Sequence, residues 1–208
     1  MPRAPRDTRR RIVDAALYLF WLRGYAATGI AEVCQRGKAN SGSFYFFFKT
    51  KEKLLLAVLE LYIESLFPVV VEPVLTSITD PVERVFGILD FYRRNLLATG
   101  CTYGCPIGRL ALEIPEEQFR VHKRLADNFD GWTAAVTKCL EDAKDSLPAA
   151  TNLPTLAKFV LTVMEGGVMQ ARAHRSVEPF DACVAHLRAY FNLLQAQRSQ
   201  ENSQQLQT

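Results

Sequence analysis

Apolar side chains recur every three or four positions along nearly the whole chain, and that spacing admits one fold class. Ile12, Val13, Ala16, Leu19 and Phe20 mark one helix face between Asp7 and Gly24, where the glycine supplies a stop. Asp80-Pro81 pairs a capping carboxylate with a proline at the first helical position. The helix it opens runs through Val85, Leu89, Tyr92 and Leu96 to Gly100. From Pro115 to Leu147 the residues Phe119, His122, Leu125, Phe129, Trp132, Val136 and Leu140 predict one long amphipathic helix. Two more are expected, over 152–174 (Val160, Val163, Gly167, Ala171) and 178–198 (Val184, Leu187, Phe191, Leu194). No convincing strand emerges. The expected fold is all-α, with about nine helices.

Shorter helices fill the first quarter. Thr28 is the expected N-cap of a helix through Ile30 and Val33 that ends near Gly37. Asn40 or Ser41 caps the next, through Phe44, Tyr45 and Phe48. Thr50 and Lys53 stand at capping-box spacing with Lys in place of the usual acid, so half a box opens a long helix expected to end at Pro68. The segment CTYGCPIGRL from Cys101 reads as a loop entering a short helix, and the polar tail 199–208 as disordered.

Composition removes several function classes. With 208 residues, 49% of them hydrophobic, the chain can bury a substantial core and is not a disordered or collagen-like sequence. Cys34, Cys101, Cys105, Cys139 and Cys183 form no CxxC pair and no Cys/His cluster, which argues against a disulfide scaffold or zinc site. No cofactor is expected, and His122 and His174 lack acidic partners at ligand spacing. A reducing, cytoplasmic setting fits this cysteine usage. The basic N-terminus has no apolar core of signal-peptide type, and no run of about 18 uncharged apolar residues predicts a membrane span.

Charge is partitioned along the chain. Residues 1–53 hold eleven Lys and Arg against four Asp and Glu, a net +7, while the other 155 residues net −4. Such a split points to an anionic partner for the first quarter alone, either nucleic acid or an anionic membrane surface, with a solvated basic arm as the plain alternative. A membrane-surface role would need an exposed apolar face, and the first helix needs that face for its own small core.

Two short helices joined by a tight turn, preceded by a longer helix and set in the basic quarter, make a helix-turn-helix. The tight turn lets the second helix project its first residues into the major groove. Asn40, Ser41 and Ser43 are small polar groups able to reach base edges or phosphate oxygens, and Gly42 leaves room for close approach. Lys49 and Lys51 can neutralise a flanking phosphate.

The run ANSGSFYFFFKTKEKLLLAVLE resembles the most diagnostic stretch of the TetR family of bacterial repressors, with Gly42, Ser43, Phe44, Tyr45, Phe48, Lys49, Thr50, Lys51 and Glu52 in the family's places. IVDAALYLFWLRGYAATGIAEV is similar to its first two helices, with the stop at Gly24-Tyr25. The resemblance covers roughly residues 8–60. It implies that Thr28 and Tyr45 bind phosphates, that Asn40, Ser41 and Ser43 lie at the groove, and that Lys51 closes the far side. Three departures from the pattern matter, at four positions. Phe46 and Phe47 stand where a hydrogen-bonding aromatic is usual, so those contacts are lost or become apolar, for instance against a thymine methyl. Ser41 replaces a frequent Lys. Lys38 occupies a turn position usually held by Gly and requires either positive φ or a bend taken up by Gly37. By spacing, Phe44 and Phe48 pack the core, and at least one of Phe46 and Phe47 is exposed.

The resemblance divides the chain into a DNA-binding domain (1–53) and a ligand-binding and dimerisation domain (54–198), and it implies double-stranded operator DNA, a small-molecule effector and a second copy of the chain as partners. Most aromatics of the second region read as packing. Phe91, Tyr92, Cys105, Trp132, Met164 and Gly167 are the candidate effector contacts. GCPIGRLALE (104–113) resembles a segment of the branch near the multidrug and lincomycin repressors. Gly166-Gly167 inside a helix implies a close helix crossing or a ligand against the backbone. The last two helices are the expected dimer interface. Cys101 and Cys105, with Arg109 to favour a thiolate, are an alternative redox or electrophile sensor, against a plain packing role. No triad, phosphate loop or paired-carboxylate site points to an enzyme, although a small-molecule enzyme or binding protein with a vestigial helix-turn-helix is the alternative from another class.

Overall fold

A computed structural model describes residues 5–205, and among these every regular element is helical. The helices are α1 (Pro5–Arg23), α2 (Ile30–Arg36), α3 (Ser41–Phe47), α4 (Lys51–Ser77), α5 (Pro81–Ala98), α6 (Pro106–Glu113), α7 (Phe119–Asp142), α8 (Leu153–His174) and α9 (Glu178–Gln205). The caps read from sequence are largely in place. Asn40 Oδ1 accepts the Ser43 N–H at 2.7 Å, Thr50 Oγ1 accepts that of Lys53 at 3.1 Å, and Asp80 Oδ1 accepts that of Glu83 at 2.9 Å.

Four boundaries differ from expectation. Pro68 does not end α4: over Phe67–Val71 the helix widens to π geometry, with the Glu72 N–H bonded to the Phe67 carbonyl, and continues to Ser77. A π turn lets a helix pass a residue that cannot donate to the regular ladder. α4 is thus long and apolar enough to cross a membrane by length and composition, yet it carries Glu60 and Glu64 and sends Leu54, Leu55, Val58 and Leu59 into the core. α7 starts at Phe119, after a turn in which Gln118 N–H bonds the Pro115 carbonyl, and ends at Asp142 before a short 3-10 turn, Lys144–Ser146. The Thr28 cap is displaced, as described below.

The fourth is the tail, where residues 199–205 continue α9 as helix rather than disorder. They are tied down by side chains: Glu201 Oε2 accepts the Ala149 N–H at 3.4 Å and Arg198 Nε donates to the Asp145 carbonyl at 3.3 Å. Residues 206–208 lie outside the described residues.

The chain forms two compact units, and neither is a simple prefix. The first comprises Met1–Ser65 with Cys105–Phe129; the second comprises Leu66–Gly104 with Asp130–Thr208. The division therefore falls inside α4 near residue 65 rather than at 53, and the first unit recruits α6 and the start of α7. Its core includes Ile12, Phe20, Phe44, Leu55, Ile107 and Leu110, all at most 2% exposed. In the second unit Phe86 meets Phe191 edge-on at 5.5 Å, and Arg93 grips Asp181 through two bonds of 2.7 and 2.9 Å. A Cβ on Gly167 would stand 3.0 Å from the Phe180 ring and 3.3 Å from its Cα. Gly167 thus serves the close approach of α8 to α9, and Gly166 meets nothing within 4 Å.

Candidate nucleic-acid interface

α3 is only seven residues long, SGSFYFF, so its orientation depends on two anchors. Phe44 and Phe48, one turn apart, are buried and lie 5.9 Å from each other, as their spacing requires. That leaves Ser41, Gly42, Tyr45 and Phe46 exposed on the outer face, with Ser43 half-buried. Tyr45 is 54% and Phe46 76% exposed. Asn40 is exposed but already spends its oxygen on the cap.

The α2–α3 turn needs an unusual backbone. Lys38 itself takes the left-handed conformation, with φ 49°, and Gly37 remains right-handed at φ −75°. Gly37 is required for another reason: a Cβ there would lie 3.1 Å from the backbone oxygens of Arg11 and Val33. Arg11 Nη1 donates to the Lys38 carbonyl at 3.3 Å, tying the turn to α1. The Lys38 side chain is left exposed. Lys49, just past α3, also has positive φ, 59°, and is exposed.

Thr28 is placed differently from expectation. It is 1% exposed, and its hydroxyl donates to the Gly24 carbonyl at 2.7 Å, with the Leu19 carbonyl at 3.3 Å. The cap of α2 is Gly29, whose N–H is bonded by Glu32 Oε2 at 3.2 Å. A buried hydroxyl must find a protein partner, and here the carbonyls ending α1 provide it. Thr28 therefore holds the α1–α2 turn and presents no hydroxyl to a phosphate.

Lys51 is also turned inward. Its Nζ sits 4.4 Å above the Tyr25 ring and donates to the Ala26 carbonyl at 3.4 Å. Burial pushes its ammonium pKa down, while the Glu113 carboxylate pulls the other way. Burial likewise raises the Tyr25 phenol, with Glu52 adding to the rise.

The residues that brace this region were not legible as functional. Arg109 donates to the Leu22 and Arg23 carbonyls at 3.2 and 2.6 Å, and to Glu113 Oε1 at 2.6 Å. Glu113 Oε2 accepts the Tyr25 N–H at 2.7 Å. An arginine from α6 thus satisfies carbonyls that the end of α1 leaves open, and a carboxylate holds the next turn. Sequence gives no signal for a pairing across some 88 residues. It also means that Arg109, expected beside a cysteine thiolate, spends its donors on α1 and Glu113.

None of the five cysteines forms a disulfide among the described residues; Cys101 and Cys105 are buried, at 4% and 5% exposed. Burial raises the thiol pKa of Cys139 and of Cys34. Among the described residues no group of three or more His, Cys, Asp and Glu could hold a metal ion.

Of the candidate effector contacts, the second unit brings together Tyr92 and Trp132, whose rings lie 5.3 Å apart, and Phe91 packs edge-on against Tyr92 at 5.7 Å. Met164 is buried in the same unit, while Cys105 belongs to the first. Trp132 Nε1 is buried with no hydrogen-bond acceptor among the described residues.

Comparison with known proteins follows the same outline. Residues 12–58 match the profile of bacterial regulatory proteins of the tetR family, and residues 81–186 that of the LmrA/YxaF-like transcriptional regulator C-terminal domain. An HTH-type transcriptional regulator of Mycobacterium tuberculosis is 30% identical over 195 residues, covering 91% of this chain and 95% of that protein. The HTH-type transcriptional repressor DhaR of Mycobacterium sp. (strain GP1) is 25% identical, covering 87% of this chain and 89% of its own length. The crystal structure of regulatory protein TetR from Rhodobacter sphaeroides superposes with a TM-score of 0.76 at 21% identity, covering 86% of this chain and 95% of that one.

Proposed function

Because the chain belongs to the TetR family and is a DNA-binding transcriptional regulator, we propose that it is a repressor that binds a palindromic operator as a homodimer and is released by a small-molecule effector. The observation that carries this reading is the outer face of α3, where Ser41, Gly42 and Tyr45 are exposed and the Lys38 and Lys49 side chains stand free at its two ends. Asn40, Ser41, Gly42, Ser43 and Phe46 face the groove; Tyr45, Lys38 and Lys49 bind phosphates, and Lys51 contributes from its place over Tyr25.

Two recognition helices must stand about 34 Å apart to meet successive major grooves. The second copy packs on α8 and α9, which expose Phe159, Met169, Tyr190 and Leu193, the last 68% exposed. We place the effector beside Tyr92, Trp132 and Met164, where a buried indole N–H lacks an acceptor that a ligand would supply. Release then follows from differential affinity: an effector that binds the splayed dimer more tightly shifts the population away from DNA. The protein's relatives are regulators rather than enzymes, and we place it in the cytoplasm, where cysteines outside any disulfide persist.

The test is selection of bound fragments from genomic DNA, followed by salt titration of the recovered operator. Lys49→Ala is expected to weaken binding across sequences and to reduce the salt slope by about one unit. Binding that ignores salt overturns the reading.

A further inference from the structure

Phe46 is the one large apolar side chain on the outer face of α3, and the chemistry of DNA leaves it few partners. Its ring is 76% exposed, between the exposed Tyr45 and the half-buried Phe47. It is not a loose side chain. Phe46 meets Phe47 edge-on at 5.0 Å, Phe47 leans on Phe48 at 6.2 Å, and Phe48 is buried beneath the Arg9 guanidinium, 5.4 Å from its ring centre. The three rings form a ladder from the core to the surface, with Phe46 as its outermost rung. Ordering a ring before contact lowers the entropy lost on binding.

A phenyl ring has no donor for a phosphate, and its negative face repels an anion. Against the edges of base pairs in the major groove it finds hydrogen-bonding atoms, which it would desolvate at a cost, and a single apolar group, the C5-methyl of thymine. 5-Methylcytosine carries the same group at the same place. The neighbours of Phe46 on this face are small or polar, so the ring stands out as an apolar probe rather than as part of a broad hydrophobic patch.

We propose that Phe46 is a specificity-determining residue that reads one pyrimidine C5-methyl group in each operator half-site. The proposal rests on α3 being the recognition helix and adds what that helix selects. A fixed base pair of the half-site then carries thymine, and 5-methylcytosine paired with guanine substitutes there where cytosine does not.

The test uses the full chain and fluorescein-labelled operator duplexes in which each thymine of one half-site is replaced in turn by deoxyuridine, removing only the methyl. One position is expected to lose about fourfold in affinity, the equivalent of ~0.8 kcal/mol for one buried methyl-sized group. At that position 5-methylcytosine binds about fourfold better than cytosine. With Phe46→Ala both differences vanish, whereas Phe46→Leu, still apolar, retains part of each. Circular dichroism of the variants is expected to be unchanged because the ring is mostly exposed. The proposal is overturned if no thymine is sensitive to loss of its methyl, if the sensitivity survives in Phe46→Ala, or if Phe46→Ala alters DNA bending with no methyl dependence, the behaviour of an intercalating wedge. In each of those cases the protein still binds its operator and the repressor reading stands. A wild-type chain that binds no duplex removes both.

Discussion

Gly24→Ala, alone and combined with Glu113→Ala, tests the brace at the end of α1. Gly24 has φ +91°, and an added Cβ would lie 2.2 and 2.3 Å from the two Glu113 carboxylate oxygens. Two costs follow. Holding an L-residue at that φ costs about 1–2 kcal/mol. Driving the carboxylate away breaks its bond to the Tyr25 N–H, and a charge-assisted bond of this kind contributes about 1.5–3 kcal/mol. The single variant should therefore lose about 3–4 kcal/mol. Glu113→Ala forfeits the Tyr25 bond and leaves Arg109 without its partner on α6, a loss of about 2 kcal/mol. In the double variant the carboxylate is lost only once and the clash is gone, so adding Gly24→Ala to Glu113→Ala should cost only the backbone strain, about 1–2 kcal/mol. The coupling is then about 2 kcal/mol. Urea unfolding followed by circular dichroism at matched protomer concentration measures it. Losses that add to within about 0.5 kcal/mol would refute the argument that these residues act through one contact.

Three further outcomes follow from the same geometry. Thr28→Val should cost about 1–2 kcal/mol in stability and leave operator affinity unchanged at a fixed salt concentration where the variant is fully folded; a loss of about tenfold in affinity there would return Thr28 to the phosphate contacts. The Gly29 N–H and then Arg23 hold the Glu32 carboxyl below its usual range, so its stabilising contribution is present above the unfolded pKa of about 4.3 and lost as pH falls through the lower folded value. The gap in urea midpoint between wild type and Glu32→Gln should accordingly shrink on acidification, and a gap that persists at about pH 3 contradicts this. Leu193→Asp, at the most exposed apolar position of α9, should shift the chain to monomer in sedimentation at micromolar concentration, and an intact dimer would move the interface elsewhere.

The sequence alone determined much of what near neighbours set. Helical spacing excluded strands, Asn40, Thr50 and Asp80 cap their helices as their residue types require, and the one-turn separation of Phe44 and Phe48 buries both and forces Phe46 outward. These rest on local hydrogen bonds and on periodicity, which a sequence displays directly. Tertiary structure decided what depends on groups distant in the chain. Thr28 gives its hydroxyl to carbonyls of α1 because the α1–α2 turn is buried, and α6 reaches back to close the end of α1 through Arg109 and Glu113. The first unit therefore borrows residues 105–129 and does not end at the charge boundary. Likewise Pro68 bends into a π turn where Val70 and Val71 find burial, and the polar end of α9 stays helical because Glu201 and Arg198 bind backbone near residue 147. At the end of α1 and in the α9 tail a contact distant in the chain outweighs a local preference of about 1–3 kcal/mol, and at Thr28 and Pro68 burial does so. The strength of that contact is not written in the residues that obey it.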